Sequence, residues 1–190
     1  MVTTELTRPQ PVRPRHSLAE QLAHAYSAGW TLLLAAAALC ALIPAARWLA
    51  HHELALQLHV RIRPAPRPTL RAAAWLLIHN ARATMWPLLA VGLGAERHRI
   101  LRRVVDVSVM ASVAVNLLPI AAAVGVYRSA LVPYLPHLPF ELYAITTGPA
   151  AWAQSTRQPL GRRQLAMIGL SMLAALGIAA LLETWAVPHR

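Results

Sequence analysis

QLAMIGLSMLAALGIAALLETWAV, residues 164–187, carries a single charged side chain, Glu183. A bilayer core of about 30 Å takes about 20 mostly apolar residues in helical form. The run meets that length and predicts a membrane-crossing helix, closed by Trp185 as an interfacial anchor.

Four further runs have similar character. Residues 28–50 are rich in Leu and Ala, with Trp30 and Trp48 near the two ends and Pro44 and Arg47 inside. Residues 72–95 are entered past Trp75 and contain His79, Asn80, Arg82 and Pro87. Residues 104–127 form the next, and 139–154 a shorter one interrupted by Gly and Pro. The expected fold class is all-α, a polytopic integral membrane bundle of about five transmembrane helices over 28–187. Residues 1–27 are a Pro/Arg-rich tail in which 17–26 suits a short amphipathic helix, and 188–190 form a C-terminal tail. A signal peptide is the rival reading of the first run. Nearly thirty residues precede that run, and no small-x-small cleavage site with a polar domain behind it appears.

Composition agrees with this class. Of the 190 residues, 57% are hydrophobic and 13% charged, against about 45–50% and 25% in soluble domains. The 18 basic residues are all Arg, and with 7 acids they give a net charge of +11. A soluble nucleic-acid binder would not carry so much apolar sequence, so nucleic acid is not an expected partner. The lone Cys40 excludes an internal disulfide.

Arginine placement suggests orientation. Three Arg lie in the tail, four in the second connection (Arg97, Arg99, Arg102, Arg103) and three in the fourth (Arg157, Arg162, Arg163). These favour a cytoplasmic N-terminus. Arg61, Arg63, Arg67 and Arg71 in the first connection would then face outward, against the rule. Its Arg-Pro-Ala-Pro-Arg-Pro stretch at 63–68 reads as an extended linker.

Ionisable groups in hydrocarbon cost about 2.5–3.5 kcal/mol each on insertion scales. They mark a site or an internal pair. Asn80 and Asn116, the two Asn of the chain, fall about 12 and 16 Å from the outer ends of their predicted helices. Such amides hydrogen-bond between helices. Arg82 lies deeper than Asn80 and needs a carboxylate, carbonyls or water. Glu141 and Glu183, both expected in the same outer half, can supply the carboxylate. Asn80, Arg82, Asn116, His137, Glu141 and Glu183 therefore form the expected polar cluster. Pro139 suits the first helical position, which puts Glu141 in the first turn, where the helix dipole favours a carboxylate. His137 then falls outside the helix, so its i, i+4 spacing to Glu141 is not expected to hold a metal, and no cofactor is expected.

Motif checks fail elsewhere. His52-Glu53 starts like H-E-x-x-H, but Leu56 stands where the second His belongs. His51, His52 and His59 are compatible with metal binding from the first connection or with ordinary solvated side chains. No nucleophile elbow or phosphate-binding loop appears. Gly92, Gly94, Gly169 and Gly177 read as small packing positions.

The stretch Pro136-His137-Leu138-Pro139-Phe140-Glu141-Leu142-Tyr143-Ala144-Ile145, followed by Gly148 and Ala150-Ala151, resembles the P-H-G-x-x-E-L-x-A-I…G-A-A signature of the stage II sporulation protein M family. His79-Asn80-Ala81-Arg82 resembles that family's N-N-x-R, and Asn116 the Asn of its following segment. The chain's 179–188, Ala-Ala-Leu-Leu-Glu-Thr-Trp-Ala-Val-Pro, resembles its closing A-A-x-I-E-A-x-x-T-P. Leu138 replaces a Gly, His79 an Asn, Thr184 an Ala and Val187 a Thr.

The resemblance covers 72–188 and implies an integral protein of the bacterial cytoplasmic membrane without an established catalytic activity of its own. In endospore formers such a protein is a scaffold for peptidoglycan-degrading partners. Short relatives lie beside genes for circular bacteriocins and other modified peptides, and the lack of a large extracytoplasmic domain fits them better. The expected function is a non-enzymatic membrane component for envelope remodelling or for maturation or export of a small peptide. Its expected partners are the lipid bilayer, other membrane or envelope proteins and, as an alternative, a peptide substrate. Two other classes stay open: an intramembrane hydrolase or peptide cyclase using Glu141, Glu183 and His137, and an ion-coupled transporter.

Overall fold

Ser17 opens the first helix. Its Oγ accepts from the Glu20 N–H at 3.2 Å, and its own N–H donates to Glu20 Oε2 at 2.8 Å. This reciprocal capping box satisfies two donors that a helix start leaves bare. The computed structural model describes residues 17–46, 48, 52, 68–127, 132 and 135–185. The Pro/Arg-rich tail before Ser17, most of the first connection with His51 and His59, and residues 186–190 lie outside them.

Among the described residues the chain forms five long α-helices and no strand: α1 Leu18–Leu42, α2 Leu70–Gly92, α3 Arg99–Tyr127, α4 Leu138–Ser155 and α5 Arg162–Trp185. Three boundaries differ from the sequence expectation. The amphipathic segment and the first apolar run are one helix, because the Ser17 box starts it early. That helix stops at Leu42, and Ile43 is extended (φ −95°, ψ 113°), since the residue before a proline is pushed out of the helical region. Likewise α3 starts at Arg99, so Arg99, Arg102 and Arg103 form its first turns rather than a loop. Its 29 residues reach about 43 Å. The sharp turn before it uses Gly94 at φ 70°, a left-handed conformation that glycine adopts without a Cβ clash.

Among the described residues, three helices are long and apolar enough to cross a membrane: α1, α3 and α5. Their outer faces are apolar, with Leu32, Val107, Met110, Val115, Met167 and Leu170 each 59–71% exposed. The shorter and more polar α4 runs through the middle, packed on α1, α2 and α5. Its Leu138, Leu142 and Ile145 join Leu33 of α1 and Leu117 of α3. Its Ala144 and Ala151 join Ile168, Met172 and Leu176 of α5. Its Trp152 joins Val91, Ala95, Val105 and Val109. A helix sheathed by its neighbours can carry Thr, Gln and Glu that a lipid-facing helix cannot.

Pro87 breaks the hydrogen-bond ladder of α2, because it has no N–H to offer the Ala83 carbonyl. Ser112 Oγ of α3 donates to that carbonyl at 3.4 Å, and Trp86 Nε1 donates to the same Oγ at 3.4 Å. The break in one helix is thus mended by a hydroxyl of another.

Close approach falls on glycines other than those expected from sequence. A Cβ on Gly125 of α3 would stand 2.5 Å from the Ala37 carbonyl oxygen of α1, and one on Gly148 of α4 would stand 2.7 Å from the Thr84 oxygen of α2. Gly92 and Gly177 have nothing within 4 Å, Gly169 makes only ordinary contact, and Gly94 serves the turn. Spacing within one helix does not reveal which face meets a neighbour. Gly125→Ala is expected to lower stability by about 1–3 kcal/mol, the cost of overpacking. Gly177→Ala is expected to raise it by about 0.5–1 kcal/mol by removing a mid-helix glycine. Thermal unfolding of the two variants in detergent checks both.

Candidate functional site

The site begins with the backbone at His137. Its φ of −81° and ψ of −22° are helical, and its carbonyl accepts from the Phe140 and Glu141 N–H groups at 3.1 and 3.2 Å. The turn therefore continues through Pro139. Proline sits at the second helical position, where its missing N–H has no intrahelical partner to lose. His137 is thus the N-cap, just outside the helix as expected, but its helical angles keep the i, i+4 relation to Glu141 that was not expected across Pro139. Residues four apart share a helix face, and His137 Nε2 lies 3.8 Å from Glu141 Oε2, with both side chains 17% exposed.

Two other helices complete the cluster. Asn80 of α2 donates from Nδ2 to Glu141 Oε1 at 2.8 Å. Glu183, in the last turn of α5, brings a carboxylate to the same place. One ligand atom each from His137, Glu141 and Glu183 lies within 4.8 Å of the others. Neither ring nitrogen of His137 has a hydrogen bond: Nδ1 is buried without a partner, and Nε2 at 3.8 Å is beyond reach. Beside Glu141 lies a cavity of about 60 Å³, lined also by Asn80, Thr84, Asn116, Ile145 and Leu176. That volume admits water.

Four of the six expected cluster residues thus come together: Asn80, His137, Glu141 and Glu183. Asn116 lines the cavity, but its Nδ2 donates to the Ser112 carbonyl of its own helix at 2.7 Å. Arg82 lies elsewhere. It is exposed, and among the described residues no carboxylate is within 4.0 Å of it. The expected Arg82 pair with Glu141 or Glu183 is therefore not formed. Two residues turn a helix by about 200°, so Asn80 and Arg82 point to opposite sides of α2.

A second polar contact was not anticipated. At the far end of α4, buried Trp152 donates from Nε1 to Asp106 Oδ1 of α3 at 2.7 Å, and Arg102 Nε is 4.0 Å from the other oxygen of that carboxylate. The partners are 46 positions apart, and nothing in the local sequence pairs them. Around this end stand the exposed arginines Arg97, Arg99, Arg102, Arg103, Arg157, Arg162 and Arg163.

No protein-family model, curated protein or solved structure matches the chain. The geometry therefore carries the functional argument by itself.

Asn80→Ala leaves a buried carboxylate oxygen without its donor. It is expected to lower the unfolding free energy in detergent by about 1–2 kcal/mol. Arg82→Ala is expected to change it by less than about 0.5 kcal/mol, as at other surface positions. Chemical unfolding of the two purified variants gives the comparison.

Proposed function

We propose that this chain is a non-enzymatic integral component of a multiprotein system in the bacterial cytoplasmic membrane. It would resemble stage II sporulation protein M and serve cell-envelope remodelling or the maturation and export of a small peptide. In this reading all five helices cross the bilayer. The α4 helix, at 18 residues, covers about 27 Å and is shielded by its neighbours. The N-terminus and the arginine-rich end lie on the cytoplasmic side, following the positive-inside rule and facing anionic lipid.

The observation that carries this reading is Arg82. It stands part-way along α2, exposed, with no acid of the described residues within ion-pair reach. A guanidinium cannot discharge itself, and lipid tails are a costly surrounding. A neighbouring membrane protein with a carboxylate or carbonyls at that depth satisfies it. The expected outcome is that Arg82→Ala lowers recovery of the native membrane assembly at least tenfold while the purified chain keeps its own melting temperature. Recovery would be read by native gel electrophoresis of mild-detergent extracts. Unchanged assembly in that variant contradicts the reading.

One observation favours a second reading. His137, Glu141 and Glu183 are the three residues that an intramembrane hydrolase or peptide cyclase would use, and they come within 4.8 Å of one another. Turnover of a candidate peptide by the purified chain, abolished in a folded Glu141→Gln variant, would establish the enzyme. The scaffold reading expects no turnover from either.

A further inference from the structure

Two carboxylates from different helices converge where no arginine among the described residues faces them. Glu141 comes from the first turn of α4 and Glu183 from the last turn of α5. Arg82, the cation expected from the sequence to pair with them, is exposed on the other side of α2. Carboxylates so placed repel each other, and either a proton or a bound cation must balance them. The third member of the group is an imidazole, His137, whose two ring nitrogens lack hydrogen bonds.

We propose that His137, Glu141 and Glu183 form a binding site for one divalent first-row metal ion, with Asn80 holding Glu141 in place from outside the coordination shell. The donor set decides the class of ion. One imidazole nitrogen with two carboxylates suits zinc and its neighbours, whereas calcium and magnesium seek six or more oxygens. The spacing also fits. A tetrahedral ion with bonds of about 2.0–2.2 Å sets its ligands about 3.4 Å apart. The three donor atoms lie within 4.8 Å, so small side-chain rotations bring them in. The i, i+4 pair on α4 fixes two ligands on one rigid turn. The Asn80 amide orients the Glu141 carboxylate, as outer groups commonly do for metal ligands. Three protein ligands leave a fourth position open, next to the cavity of about 60 Å³ beside Glu141, where water or a small ligand group can enter. The site stands independently of which partner the bundle serves.

The test uses the untagged full chain in detergent, stripped with a chelator and titrated with Zn²⁺ alone. One ion per chain by elemental analysis is expected, together with a melting temperature that rises with Zn²⁺ and falls back with chelator, by mass action. Co²⁺ in its place should give the visible absorption of a four- or five-coordinate nitrogen–oxygen site. Asn80→Ala is expected to weaken Zn²⁺ binding about 10- to 100-fold, and His137→Gln or Glu183→Gln more than that. A variant with His51, His52 and His59 all changed to Ala should bind as the parent does. The proposal is overturned by the absence of a stoichiometric ion in the unmodified chain. It is equally overturned by undiminished binding in His137→Gln, or by loss of binding in the triple-histidine variant alone. The wild-type measurements decide the matter even where a ligand variant fails to fold, and none of these outcomes bears on assembly through Arg82.

Discussion

The hydrogen bond from Asn80 to Glu141 ties one end of this bundle's interior together. A carboxylate inside an apolar bundle must be given hydrogen-bond partners to offset the cost of leaving bulk water. That demand fixes the rotation of α2, which must turn Asn80 inward, and so turns Arg82 outward. It also fixes the level of α4, whose first turn must meet α2 part-way along its length. The last turn of α5 then reaches the same level with Glu183. One polar contact thus sets the relative placement of three helices, while packing of small residues sets how closely they approach.

The division between outer and inner helices follows from the same constraint. The helices α1, α3 and α5 carry long apolar faces, and α4 contributes to all three buried clusters. Polar residues concentrate on the helices that have neighbours to bond to. Where the backbone itself is broken, at Pro87, the repair comes from Ser112 across the helix pair. Helix packing in such a bundle rests on close contact and hydrogen bonds rather than on the hydrophobic effect, since lipid is as apolar as leucine.

Much of this was legible in the sequence. The five helical runs follow from length and apolarity, and residues 139–154 lie within one turn of the observed α4. Asn80, Glu141 and Glu183 stand out because polar groups in apolar runs need partners, and His137 because it lies four residues before Glu141. Other features were not legible, for identifiable reasons. Residue counting gives depth along a helix but not which neighbour a face meets, so it places Asn80 and Arg82 in one cluster although they face opposite ways. The sequence favours Pro139 as the first helical residue, but it is the second, and His137 at the N-cap keeps helical angles. The packing glycines, Gly125 and Gly148, depend on which surfaces meet, and that is a property of the assembled bundle. The Trp152–Asp106 bond joins positions too far apart in sequence for any local signal.

The seven exposed arginines at one end of the bundle have an electrical consequence. In an energised bilayer every elementary charge moved across the potential costs about 2.3 kcal/mol per 100 mV. Turning the molecule over in a bilayer would carry several guanidinium groups through hydrocarbon. So much charge at one end makes the two ways of seating the bundle in a bilayer unequal in a field, whichever side that end takes.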